Sequence, residues 1–244
     1  MTPTTIRAPL VSTRNTQPLE LVSMDYLTLE VSRGGYQHIL VITDHFTRYA
    51  QAIPTRNQTA KTTATVLLEN FIYHYGIPLR LHSDQGATFE SAVIQELCKL
   101  AGIRKSRTTS YAPWANGMTE RMNRTLLGML GTLDRDSKKD WRSHVSSLVH
   151  AYNATRHDST GQSPFFLMFG RQPRLPIDVA LGLPDLHEGK PLPTFVSDLR
   201  EKLQEAYHTA TEEADKARGD QKSTYDKKAR AGSGRQSACQ DLSF

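Results

Sequence analysis

The chain has 244 residues, of which 38% are hydrophobic, and 30 Lys and Arg against 25 Asp and Glu give a net charge of +5. That supplies a core for one medium domain with appendages or for two small domains, and the mild basic excess suits a polyanionic partner without demanding one. Cys98 and Cys239 are the only cysteines, which excludes a disulfide framework and a cysteine-based zinc site and makes a reducing compartment natural; no apolar run is long enough to cross a bilayer, and the start has no signal-peptide pattern.

In chain order, residues 1–18 are rich in Thr, Pro and Arg with no sustained period and read as an extended linker. The run "LELVSMDYLTLEV" from Leu19 is strand-like; Gly34 and Gly35 turn the chain into "YQHILVITD", and "YAQAIPT" adds a third strand, so the first three form an antiparallel meander. From Lys61 to Tyr75, Ala64, Leu67, Leu68, Phe71, Ile72 and Tyr75 make one helical stripe, stopped by Gly76 and Pro78. "PLRLHSD" is a short strand. "SAVIQELCKLAG" is a helix with Val93, Ile94, Leu97, Leu100 and Ala101 turned inward, and "IRKSRTTS" is a more polar fifth strand. "PWANGMTERMNRTLLGML" opens as a loop and becomes a helix, and a further helix repeats Trp141, Val145, Leu148 and Tyr152. Strands followed by alternating helices and strands predict a mixed α/β layer fold with a hairpin at one edge.

Beyond about Gly170 prolines become frequent, and residues 176–194 read as a Pro-rich linker. Residues 195–230 read as a long polar helix with Val196, Leu199, Leu203, Ala206 and Ala210 in a weak packing seam, and residues 231–244 as a disordered tail. The globular core is then 19–175.

Three acids stand where structure alone gives poor reasons for them. Asp25 interrupts an apolar strand, where a bare carboxylate costs several kcal/mol without compensation. Asp84 follows the fourth strand in "HSDQGATFES", at a strand end of the kind where ligand sites collect, although a turn-capping role is the plainer alternative. Glu120 opens a helix, where an acid also complements the helix dipole. Asp44, in "VITDHFTRY", reads as a turn acid, and His82 and His157 as packing or surface histidines.

Thirty-five residues separate Asp84 from Glu120, a spacing that is weak alone among 25 acids. The flanking residues carry more. "SMDYL", "SDQGATFES" and "YAPWANGMTERMNRTL" together resemble the catalytic core of retroviral and retrotransposon integrases. The trailing "YNATRHDSTGQSPFFLMFGRQPRLPID" is most similar to the gypsy-type LTR retrotransposon branch or a host gene derived from it, and the likeness runs from about Arg7 to Ala229. It implies a ribonuclease H-like fold: a five-stranded mixed sheet flanked by helices, here with a C-terminal helical extension.

The resemblance further implies that Asp25, Asp84 and Glu120 are catalytic metal ligands for two Mg²⁺ (or Mn²⁺) ions per site, performing phosphoryl transfer that trims and joins DNA 3′ ends. Asn116, Arg121, Asn123 and Arg124 are its DNA-contact candidates, with Arg121 equally able to form an ion pair. DNA, at least a dimeric assembly and a nuclear location are the implied partners and place, with no membrane. The family's usual His and two Gln are replaced by Ala112, Trp114 and Met118, and neither a His₂Cys₂ zinc module nor a C-terminal barrel is expected in these residues. A catalytically silent remnant that binds DNA or protein is the alternative reading.

Overall fold

The computed structural model describes residues 15–107, 117–181 and 192–237. Its centre is a five-stranded sheet built from β1 (Val22–Ser32), β2 (Tyr36–Asp44), β3 (Ala50–Thr55), β4 (Arg80–Ser83) and β5 (Arg104–Arg107), in the order β3-β2-β1-β4-β5. β1, β2 and β3 pair antiparallel, as the meander predicts, while β4 joins β1 and β5 joins β4 in parallel. Gly34 and Gly35 both adopt positive φ, 80° and 78°, which lets the β1–β2 hairpin turn where a side chain would be strained.

Side chains of a strand alternate between faces, and β1 splits the core accordingly. Val22 and Met24 join Leu40, Ile42 and Leu81 under α1 (Ala60–Leu67) and α3 (Ala92–Leu100). After Leu67 the chain passes through a π turn (Leu68–Ile72), which still buries Phe71 and Ile72, into α2 (Tyr73–Tyr75). On the other face Ile39, Val41, Ala50 and Ala52 pack under α4 (Gly117–Gly131), through Met122, Leu126 and Leu130, and α6 (Trp141–Ala154), through Trp141, Val145 and Val149. Ser23 and Asp25 belong to this second face. The short α5 (Arg135–Lys139) links α4 to α6.

Several expectations need correction. Val93 and Leu100 are not inward: they are 48% and 80% exposed. The buried stripe of α3 is instead Ile94 and Cys98 with Leu97 and Ala101 beside them, the i, i+3, i+4, i+7 set of a single face. Residues 164–169, for which the sequence predicts no element, form α7 (Pro164–Phe169); Ser163 caps it through Phe166 N, Pro164 suits its first position, and Gly170 ends it at φ 72°. The Pro-rich stretch contains α8 (Pro176–Ala180) and the start of α9, which runs Leu192–Ser237, beyond both ends of the 195–230 reading and into the stretch read as disordered. No proline follows Pro193, so nothing in the sequence forces that helix to stop.

The seam of α9 is real. Ala206 and Ala210 are buried against Phe46 and Leu167, with the Tyr207 ring edge-on to Phe46 at 5.2 Å, so the helix packs on the core. Among the described residues no helix is long and apolar enough to cross a membrane.

Candidate active site

Asp25 sits mid-strand on β1 opposite Val41, on the face that α4 covers, and is half-buried. Its Oδ1 accepts the Tyr26 N–H at 2.8 Å, and its Oδ2 accepts Asn123 Nδ2 at 3.0 Å. Burial pushes its carboxyl up to about 6; the Asp84 and Glu120 charges add to the rise, and the bonds from Tyr26 and Asn123 oppose it. Asp84, just past β4 and half-buried, accepts the Gly86 N–H at 2.9 Å on Oδ1. A Cβ on Gly86 would lie 3.0 Å from that same oxygen, so glycine here keeps the approach open. Glu120 is exposed in the first turn of α4.

The first turn of α4 is pinned from below. Thr119 Oγ1 and Ser23 Oγ, both fully buried, lie 2.5 Å apart, and His45 Nε2 reaches the same serine at 2.9 Å. Ser23 shares the face of Asp25 at the i, i+2 spacing of a strand, and Thr119 precedes Glu120, so one hydrogen bond joins the supports of two of the three acids. Sequence reasoning missed this pair; its signal was the neighbouring small hydroxyls beside each acid. Asn123, one turn after Glu120, is a positioning residue for Asp25, and its Oδ1 is buried without a hydrogen-bond partner.

The structure therefore brings Asp25 into the electrostatic reach of Asp84 and Glu120, and no Lys or Arg pairs with any of the three among the described residues. It does not close them on one point: among the described residues no three His, Cys, Asp or Glu side chains are placed to hold a metal ion. The oxygens are spent instead on Tyr26, Asn123 and Gly86. An all-oxygen set with surplus negative charge and an orphaned amide oxygen fits a hard, hydrated divalent cation, provided the carboxylates turn toward it.

The other candidates divide. Asn116, Ala112 and Trp114 lie outside the described residues. Arg124 is exposed on α4. Arg121 is exposed and makes no ion pair among the described residues; its charge is felt at His45, Arg48, Tyr152 and His157, away from the carboxylates. Asp44 is the turn acid expected: fully buried, it accepts Leu19 N, Thr47 N and Thr47 Oγ1, and burial raises its pKa. His82 packs against Ser106 at 3.1 Å, and His157 accepts the Ser159 N–H at 3.2 Å.

Comparison with known proteins gives the same direction. Two models described as integrase core domain match residues 15–113 and 101–164. The Gag-Pol polyprotein of avian reticuloendotheliosis virus is 29% identical over 160 residues, 66% of this chain and 14% of that polyprotein. The retrovirus-related Pol polyprotein from transposon 412 of Drosophila melanogaster is 27% identical over 205 residues, 83% of this chain and 16% of that protein. The HTLV-2 integrase catalytic core domain, solved in complex with magnesium in a trimeric form, superposes with a TM-score of 0.51 at 20% identity, covering 64% of this chain and 99% of that one. This last likeness speaks to the fold: a five-stranded mixed sheet flanked by helices.

Proposed function

The chain belongs to the integrase core domain family, and from that premise we propose that it catalyses polynucleotidyl transfer, trimming DNA 3′ ends and joining them to target DNA in the nucleus. The observation that supports this most is Asp25, a half-buried mid-strand carboxylate raised to about 6 beside Asp84 and Glu120 with no cation among the described side chains to balance it. Asp25, Asp84 and Glu120 would hold Mg²⁺ or Mn²⁺. Bound there as a pair, such ions activate the attacking oxygen and stabilise the leaving one in an in-line displacement at phosphorus.

The chain's own residues hold the ligands in place. Asn123 fixes the rotamer of Asp25, Gly86 fixes that of Asp84, and the Ser23–Thr119 bond locks the turn that carries Glu120. The reaction needs no protein nucleophile: water attacks when an end is trimmed, and the freed 3′-hydroxyl attacks when it is joined. In each case a new P–O bond forms, the opposite P–O bond breaks, and the departing 3′-oxygen takes up a proton. Arg124 and Asn116 are positioned in sequence to meet the DNA, and assembly as at least a dimer, with gypsy-type or host-derived ancestry, belongs to the same reading.

A second reading has its own observation. Because the three acids do not close on a common point, a silent core that retains DNA or protein binding is the rival. Purified protein given Mg²⁺ or Mn²⁺ with end-mimicking or branched DNA decides between them. Metal-dependent strand transfer that disappears in Asp84→Asn supports the enzyme; metal-independent DNA retention without products supports the rival.

A further inference from the structure

Between the sheet, α4 and α9 lies a hollow of about 420 Å³ that none of Asp25, Asp84 or Glu120 lines. Its walls come from the turn after β2, the N-terminal half of α4, the segment after α6, and α9, through Ala214 and Ala217. Five arginines face it: Arg48, Arg80, Arg107, Arg121 and Arg218. Three have acid partners, in Glu20, Glu90 and Asp215 respectively for Arg80, Arg107 and Arg218. Arg121 has none among the described residues, and Arg48 forms no ion pair there but lies within reach of the Asp44 charge. The acid nearest Arg48 in the chain, Asp44, already accepts Leu19 N, Thr47 N and Thr47 Oγ1.

The donors left over are specific. Arg48 gives Nε to Ser159 Oγ at 3.1 Å and Nη1 both to the His45 carbonyl at 2.7 Å and to Met118 Sδ, and Nη2 donates to no described residue. His157 Nδ1 accepts the Ser159 N–H, which places the ring proton on Nε2, again with no described acceptor. Burial and the Arg48 charge hold His157 down to about 4, and burial holds His45 down to about 3, so both rings are neutral and act as hydrogen-bonding groups rather than as further cations. Arg48 also adopts φ 66°, a region a non-glycine residue occupies at a cost, which marks a position kept for its side chain. Donors without acceptors, an excess of cations over acids and a wall of α9 that carries Ala214 and Ala217 are the makings of an anion site.

We propose that this hollow binds a phosphate dianion, held by Arg48 Nη2, His157 Nε2 and Arg121, and that the bound anion fastens α9 onto the core. A hollow of about 420 Å³ has room for a phosphomonoester as well as for inorganic phosphate. Without it, the Arg218 end of α9 faces the charge of Arg121 and that of Arg48, which Asp44 balances only in part; with it, the same groups share one counter-ion. The proposal uses none of the three acids, and it gives Arg121 to the anion rather than to the DNA.

Hydrogen exchange of the full chain, read over residues 206–221 and 44–48, tests it with inorganic phosphate titrated against sodium chloride at matched ionic strength. Phosphate should slow exchange in both segments saturably, about tenfold at ten times its dissociation constant. Arg48→Gln and Arg121→Gln should each shift the midpoint upward at least tenfold. Should the first variant fail to fold by circular dichroism, the exposed Arg121 carries the test alone. Equal effects of phosphate and chloride, an unchanged midpoint in Arg121→Gln, or protection by a blunt DNA duplex lacking terminal phosphate but not by phosphate itself would each overturn the proposal.

Discussion

Asp25 is an acid held where its charge is least welcome, and that makes a stability prediction with a definite sign. Its folded pKa of about 6 lies above the ordinary 3.8, so between those values the folded state binds more protons than the unfolded one. Metal-free stability from this group is therefore present below about pH 4 and is lost as pH rises through 6. Asp25→Asn should make the metal-free protein more stable at pH 7.5, by about 1–2 kcal/mol after discounting for partial exposure, and no more stable at pH 4. Thermal melts at the two pH values, in chelator, measure it; a loss of stability at pH 7.5 would show that the carboxylate is compensated within the fold. The need for such compensation was legible from sequence, because a mid-strand Asp among Met24, Tyr26 and Leu27 has few neutral explanations. The role of Asn123 was not: on the sequence it shared a polar helix face with the DNA candidates, and only the approach of α4 to β1 turns it onto Asp25.

At the scale of elements, position depends on a few buried contacts. Thr119→Val removes the bond to Ser23 while keeping the shape, and Ser23 retains His45. A cost of about 1–2 kcal/mol in unfolding free energy is expected, with strand joining slowed roughly a hundredfold by a small displacement of Glu120. Thr125→Val, whose hydroxyl only back-bonds to the Arg121 carbonyl on the exposed side of α4, should do neither. Equal stability loss with full turnover in Thr119→Val would separate the pin from the chemistry. Gly170→Ala tests the other end of the fold. Its Cβ would come within 2.9 Å of Leu199 and 3.0 Å of Leu203 at φ 72°, costing about 1–2 kcal/mol from the backbone alone. Proteolysis within α9 should accelerate while the sheet keeps its protection. The β1–β3 meander and α1 were readable because their hydrophobic periods are long and their glycines stand at the turns. α7 was not, since six residues hold too few repeats for a period to register, and its Ser-Pro start and Gly end were the only signals.

For the whole molecule, the order of strands and helices was legible and the crossovers followed from it: β4 joins β1, and β5 joins β4, in parallel only by way of α1 and α3. The extent of α9 was not, because composition rich in Gly and Ser near its end argued for disorder while the absence of proline left the helix free to continue. Nor could the sequence show that two unpaired arginines, 73 positions apart at Arg48 and Arg121, meet over one hollow. What the fold does with its three acids is the central claim, and anomalous diffraction from crystals grown with Mn²⁺ tests it most directly. The account predicts manganese peaks held by carboxylate oxygens of Asp25, Asp84 and Glu120. Manganese bound only elsewhere, with the sheet and α4 intact and the three carboxylates still turned to Tyr26, Asn123 and Gly86, would contradict it.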